Sequence, residues 1–234
     1  MAEQAQASPA LAPSEPPAEE SDSLPRHNRE YRTQEYWDKR FEKEDAYEWL
    51  AGYEVVAPLL APFMGRMAAE GARTLVVGCG NSDFSRALHN AGARDVVSID
   101  FSPNVIEAMK AKNAGVDGLT WEVMDMTAMT FEADTFDIII DKAAMDALVT
   151  DEGDPWNPNE TTRTQTANMM ESVAKVAKPE AVFLQISFQQ PHFRKRYLEH
   201  SALTPPIVHS IDHGMGYFMF EQTKLPIPLT QATP

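Results

Sequence analysis

Three short stretches of this chain carry residue types whose spacing suits a nucleotide-like ligand. The first is LVVGCGNS, Leu75 to Ser82, where an aliphatic run gives way to a helical pattern. Gly78 and Gly80 let the backbone turn sharply and come close to a ligand, with Cys79 between them. The helix that follows offers free N–H groups at its start. The second is Asp100, about twenty residues further on, at the end of the next apolar run; a carboxylate there can accept both hydroxyls of a ribose. The third is Asp125 with Met126, an acid that can accept an exocyclic amine of adenine beside a thioether that packs on the ring face. Each has a plainer reading: a tight turn, a solvated Asp before Ser102 and Pro103, a loop with core methionines. Their succession after three consecutive strand-like runs favours a ligand bound beyond the strand ends.

The elements that must position these residues alternate. Strand-like runs occur at Thr74–Val77, Val96–Ile99, Leu119–Met124, Phe136–Ile140 and Ala181–Phe188. Helical patterns occur at Glu35–Phe41, Tyr53–Met67, Ser82–Asn90, Pro103–Ala114 and Arg163–Ala177. Pro58 and Pro62 obscure the course of the second helix. The strand runs lack strict polar alternation, as expected of strands covered on both faces. The implied fold is α/β with a parallel sheet. Near the end, Ile207–Ile211 and Tyr217–Glu221 are separated only by a short Gly-containing link, which suits a hairpin and not a crossover. The last strand is therefore expected to run antiparallel.

The chain has 234 residues with Lys+Arg 20, Asp+Glu 35 and a formal charge of -15, which argues against general binding to a nucleic-acid backbone. A single cysteine excludes a disulfide framework and a cysteine-based zinc site; no metal-ligand spacing is present. No secretory signal or membrane span is read, so a cytoplasmic domain without membrane partners is expected. Residues 1–30 contain no aromatic residue and are rich in Ala, Pro, Glu and Ser, and are expected to be a disordered tail. Residues 31–224 form the expected domain, and 225–234 a flexible C-terminal tail.

Two nucleotide-binding classes compete. A dinucleotide dehydrogenase usually shows G-x-G-x-x-G, but Asp83 occupies the last position. A class I methyltransferase needs no pyrophosphate cradle, and an acidic pocket suits the sulfonium of S-adenosylmethionine. The terminal hairpin also suits that sheet, so the methyltransferase is preferred.

EYWDKRF at 35–41, LVVGCGNS at 75–82, SIDFS at 98–102, WEVMDM at 121–126, FDIIIDKAAMDAL at 136–148, DPW at 154–156 and PHFRKRY at 191–197 occur in that order. Over roughly residues 30 to 224 the chain resembles the class I methyltransferases that modify lysines of elongation factor 1-alpha. The resemblance is to the lysine methyltransferase four group and to the N-terminal domain of the related dual-domain enzyme. It implies a Rossmann-like seven-stranded sheet, mostly parallel, with an antiparallel terminal strand. It also implies that Trp37, Phe41 and Trp49 fold over S-adenosylmethionine as a lid. The turn of Gly78, Cys79 and Gly80 would meet the methionine moiety, and Asp100 would hold the ribose with Phe101 beside the adenine. Asp125 and Met126 would bracket the adenine edge, and Lys142 would line the methionine end. Phe41 departs from a common Tyr, Val76 from a common acid and Ser82 from a common Gly. Pro179-Glu180-Ala181 replaces the usual Pro-Gly-Gly turn.

Methyl transfer needs nucleophile, methyl and sulfur held in line, and a lysine must shed a proton first. Asp141, Asp146 and His192 are candidates to steer the ammonium or take its proton. Against this, Asp141 could cap a helix, Asp146 could serve a cap or salt bridge, and His192 could be a surface residue. Trp156, in the acidic loop DEGDPWNPN, could cage a lysine by cation–π attraction or pin the loop to the core. Arg194, Lys195 and Arg196 form the one dense basic cluster, suited to an acidic patch on a protein or simply solvated. The expected activity is protein-lysine methylation of elongation factor 1-alpha. A small-molecule methyltransferase of the same fold, favoured by a deep closed pocket, and a non-catalytic cofactor-binding module are the alternatives. The oligomeric state is not legible.

Overall fold

The structure, a computed structural model, describes residues 24–226; residues 1–23 and 227–234, and with them most of both expected tails, lie outside the described residues. The first element among the described residues is a 3₁₀ turn at Asn28–Arg32, which overlaps the last residues assigned to the N-terminal tail. Two helices follow, α1 (Gln34–Phe41) and α2 (Tyr53–Met67). Pro58 and Pro62 lie inside α2, both on its exposed side, while Val56, Leu60 and Met67 are buried. Missing donors thus fall toward solvent, and the apolar face still packs.

Seven strands then build one sheet: β1 (Thr74–Val77), β2 (Val96–Asp100), β3 (Leu119–Val123), β4 (Phe136–Lys142), β5 (Ala177–Ser187), β6 (Ile207–Ile211) and β7 (Tyr217–Thr223). Their order is β3-β2-β1-β4-β5-β7-β6. The pairs from β3 through β5 are parallel, and β7 is antiparallel to both its neighbours. The terminal strand is antiparallel as expected, but it lies inside the sheet and β6 takes the edge. Between the strands run α3 (Phe84–Asn90), α4 (Pro103–Lys112), α5 (Ala144–Val149) and α6 (Glu160–Val176), then a short α7 (Pro191–Arg194).

Successive side chains of the central strands enter two separate apolar layers, as a sheet covered on both faces requires. Val76, Ile138, Ile140 and Leu184 pack with Leu60, Phe84 and Ile106 on one face. Leu75, Val77, Ile139 and Phe183 pack with Met145, Met169 and Val173 on the other. The order in which strands are added reverses between β1 and β4, because β2 and β3 are laid to one side of β1 and β4 and β5 to the other. Ligands of such sheets bind outside the strand C-termini at that switch point. Among the described residues, no helix is long and apolar enough to cross a membrane.

Candidate active site

At the C-terminal ends of β1, β2 and β4 lies a cavity of about 550 Å³. Gly78 and Gly80, after β1, have φ of +58° and +52°. A Cβ on Gly78 would sit 2.3 Å from that of Ala144, whereas one on Gly80 would meet the Phe41 ring in ordinary contact at 3.6 Å. The turn therefore tolerates no side chain at Gly78, where it meets the start of α5. Cys79 is buried, its amide bonds the Ile99 carbonyl at 2.9 Å, and burial pushes its thiol well up, which leaves it unreactive.

β2 delivers Asp100 to the cavity wall. Its carboxylate is 6% exposed and accepts the Gly80 amide and the Ser102 amide, both at 3.0 Å. Burial pushes this carboxyl up to about 6, opposed by those same amides. Phe101, Asp125 and Met126 line the same cavity. Asp125 is turned by its own loop: Oδ1 accepts the Thr127 amide at 2.7 Å and the Thr127 hydroxyl at 2.8 Å.

The opposite wall is an N-terminal strap, residues 31–51, from which Trp37, Phe41 and Trp49 line the cavity. Trp37 stacks on Phe41 at 5.6 Å and meets Trp49 edge-on at 5.8 Å. The strap is organised around Arg40, which sequence reasoning missed. Its guanidinium is buried 4.7 Å from the Trp49 ring centroid and 5.0 Å from that of Tyr47, and it pairs with Glu44 at 2.9 Å. Asp38 bonds the Ser102 hydroxyl, and Asn81 donates to the Glu44 carbonyl at 2.8 Å, so the strap is tied to the turns after both β1 and β2.

Lys142 ends β4 with its side chain 5% exposed in the cavity wall. Its Nζ donates to Glu48 Oε2 at 3.1 Å and to the Trp49 carbonyl at 2.9 Å. Burial lowers its pKa, while Glu48 and Asp141 act in the opposite sense. Glu48 also escaped the sequence reading: its partners Ser82 and Lys142 lie 34 and 94 positions away.

The two candidate acids part company. Asp141 is fully buried and does not line the cavity: it accepts the Ala144 amide at 2.8 Å and the Met145 amide, and takes a bond from Gln185 Nε2 at 3.1 Å. Burial first, then the neighbouring Asp146, raises its carboxyl to about 6. Its carboxylate binds the amides that start α5, which is the cap reading of this residue. Asp146, in α5, does line the cavity. Its Oδ1 accepts the Ser187 hydroxyl at 2.7 Å and pairs with Arg194, while Oδ2 has no partner among the described residues. Burial raises the Asp146 carboxyl against the lowering pull of Arg194.

Arg194 is thus no part of a solvated basic cluster; it is fully buried because Asp146 and Ser187 take its Nη2. Arg196 is spent on the carbonyls of Pro155 and Trp156. Trp156 is 73% exposed, with Phe193 5.0 Å and His192 6.1 Å away, outside the cavity lining. Tyr47, Phe188 and Met215 form the exposed apolar rim of the cavity. Met215 comes from the β6–β7 link, which read only as a hairpin in sequence.

These residues fit an adenosyl sulfonium. Asp100 and Asp125 line the crevice at successive strand ends beside Phe101 and Met126, and the rings of Trp37, Phe41 and Trp49 line it from the strap, a set of acids and apolar faces that suits an adenosyl group and a cation. Lys142 has three N–H donors and spends two, leaving one for a carboxylate. Among the described residues no cluster of His, Cys, Asp or Glu is placed to hold a metal ion.

The chain is 35% identical over 184 residues to EEF1A lysine methyltransferase 4 of Bos taurus, covering 77% of this chain and 71% of that protein. It is 34% identical over 180 residues to the eEF1A lysine and N-terminal methyltransferase of Homo sapiens, covering 76% of this chain but 24% of that longer protein. Among solved structures it shares the fold of the N-methyltransferase NodS of Bradyrhizobium japonicum in complex with S-adenosyl-L-homocysteine. The TM-score there is 0.56 at 14% identity, over 82% of this chain and 97% of NodS. An S-adenosylmethionine dependent methyltransferase from Mesorhizobium loti has the same fold, with TM-score 0.52 and 14% identity over 73% and 98% of the two chains. A methyltransferase-domain family model matches residues 68–219, the stretch that holds nearly all of the sheet and the cavity wall opposite the strap. The chain belongs to that methyltransferase-domain family and is an S-adenosylmethionine-dependent methyltransferase.

Proposed function

We propose that this chain is a protein-lysine N-methyltransferase acting on translation elongation factor 1-alpha, in the cytosol. The observation that carries this reading is the likeness to EEF1A lysine methyltransferase 4, which spans most of both chains. The shape of the cavity supports it. Exposed Tyr47, Phe188 and Met215 rim the mouth, which suits a side chain presented by a protein better than a small molecule sealed inside.

S-adenosylmethionine, when bound, supplies an electrophilic methyl group, and the chain's own residues do the rest. Asp100 accepts ribose hydroxyls, Asp125 an amine on the adenine edge, and Lys142 donates to the amino-acid carboxylate. Phe101 and Met126 pack against the base, and Trp37, Phe41 and Trp49 close the crevice to water. Gly78 lets the backbone approach. Asp146 is the group for the acceptor: its carboxylate stands in the cavity wall, where it would attract an ammonium and take a proton from it, since only a neutral lysine attacks. Burial raises its pKa toward that task, while Arg194 and Ser187 hold its Oδ1.

Purified elongation factor 1-alpha incubated with the protein and labelled S-adenosylmethionine should gain methyl groups on one lysine, read by peptide mass spectrometry. Asp146→Asn should lower kcat by about a hundredfold or more while affinity for S-adenosylhomocysteine stays within about twofold. Label confined to small molecules would remove the protein substrate and leave the methyltransferase standing.

A further inference from the structure

The strap does more than cover the cavity. Glu48 projects from it onto the opposite wall, and its carboxylate collects the Ser82 hydroxyl at 2.8 Å, the Asp83 amide at 2.8 Å and the Lys142 ammonium at 3.1 Å. The next residue, Trp49, holds the same ammonium through its carbonyl and offers its ring to the cavity. Lys142 is nearly inaccessible and lies 5.6 Å from the Phe84 ring centroid. A buried ammonium needs a counter-charge to stay charged and in place. Among the described residues, Glu48 is the carboxylate paired with it. Ser82 stands where a Gly is common in this kind of turn, and its hydroxyl adds a bond from the turn to Glu48 beside that of the Asp83 amide. Leu50, just after, has φ of +66°, a left-handed conformation that the surrounding bonds must hold in place.

We propose that Glu48 is the positioning residue of the amino-acid subsite. By fixing Lys142 from the strap and clasping Ser82, it makes closure of the strap and assembly of the subsite for the cofactor's carboxylate a single event. Glu48 acts through Lys142 and need not touch the cofactor. Its loss therefore falls chiefly on ligands that carry the amino-acid end.

The test compares two ligands of the purified full-length protein by titration calorimetry. S-adenosylhomocysteine carries the amino-acid group, whereas 5′-methylthioadenosine keeps the adenosyl thioether and lacks it. Glu48→Gln, close to isosteric and able to keep part of the bonding to Ser82, should weaken S-adenosylhomocysteine by about tenfold or more, the loss expected for a charged hydrogen bond. Its affinity for 5′-methylthioadenosine should stay within about twofold. Lys142→Met should show the same split, and the double variant should lose little beyond either single one, because the two residues act as a unit. Equal weakening of both ligands by Glu48→Gln, unchanged affinity for S-adenosylhomocysteine, or additive losses in the double variant would overturn the proposal. Failure of the unaltered protein to bind either ligand would instead strike at the cofactor site itself.

Should Glu48→Gln prove unstable, strap protection in the ligand-free protein separates the cases. Hydrogen exchange over residues 42–51 should rise in Lys142→Met as it does in Glu48→Asp, whose shorter side chain cannot span to Lys142. Unchanged exchange in both variants would refute the coupling.

Discussion

Asp100 should be a residue whose removal makes the ligand-free protein no less stable while it damages function. Its carboxyl rises from an ordinary 3.8 to about 6 in the folded chain, first because it is buried. A raised acid pKa means the folded state prefers the protonated form. The penalty on folding is absent below about pH 4, grows as pH rises toward 6 and is complete above it. It amounts to about 3 kcal/mol at neutral pH. Asp100→Asn abolishes that penalty but leaves one of the Gly80 and Ser102 amides facing an NH₂ group, at a cost of about 1–3 kcal/mol. The net change at pH 7.5 should lie between zero and about 2 kcal/mol of stabilisation. At pH 4.5 the gain should shrink or reverse, because the unaltered carboxyl is by then protonated. Cofactor affinity moves the other way. Ribose hydroxyls donate to an ionised carboxylate, so Asp100→Asn should weaken S-adenosylhomocysteine about tenfold or more. In the unaltered protein the same affinity should fall as pH drops through 6. Urea unfolding at both pH values and calorimetry across pH 5–8 read these quantities. A variant destabilised by more than about 2 kcal/mol at pH 7.5 with its ligand affinity intact would refute the reasoning.

Two further perturbations follow from the geometry. Gly78→Ala must place a Cβ 2.3 Å from Ala144 at φ +58°; the left-handed backbone costs about 1–2 kcal/mol and overpacking about 1–3 more. At about 2–4 °C of Tm per kcal/mol, calorimetry should show a loss of several degrees, and an unchanged Tm would mean that the turn and α5 are not in contact. Arg40→Met removes the cation held against Trp49 and Tyr47 and its pairing with Glu44, about 1–3 kcal/mol of strap stability. Limited proteolysis should then cut within residues 31–51 while the sheet stays intact, and a strap equally resistant in the variant would count against its being organised by Arg40.

The alternating apolar runs, the glycine turn and the acids at successive strand ends were legible in the amino-acid sequence because each is local. A buried parallel strand must be apolar, a ligand-facing turn must lack side chains, and a carboxylate at a strand end needs no distant partner to be recognised. That determined the sheet, the antiparallel last strand and the meeting of Gly78, Asp100 and Asp125 at one cavity. Which of two neighbouring acids faces the cavity depended on tertiary structure. Asp141 ends β4 and Asp146 lies in α5 just after it, and only the placement of Ser187 at the end of β5 and of Arg194 beyond it distinguishes a cap from a group in the cavity wall. The burial of Arg194, which read as a surface charge, is the same fact seen from its partner. Glu48 and Arg40 carry no signal in their own neighbourhood, because their chemistry exists only once the strap folds back onto residues that the chain reaches much later. Local pattern follows from the chain's own periodicity, whereas pairing of charges across the fold depends on the path the chain takes between them.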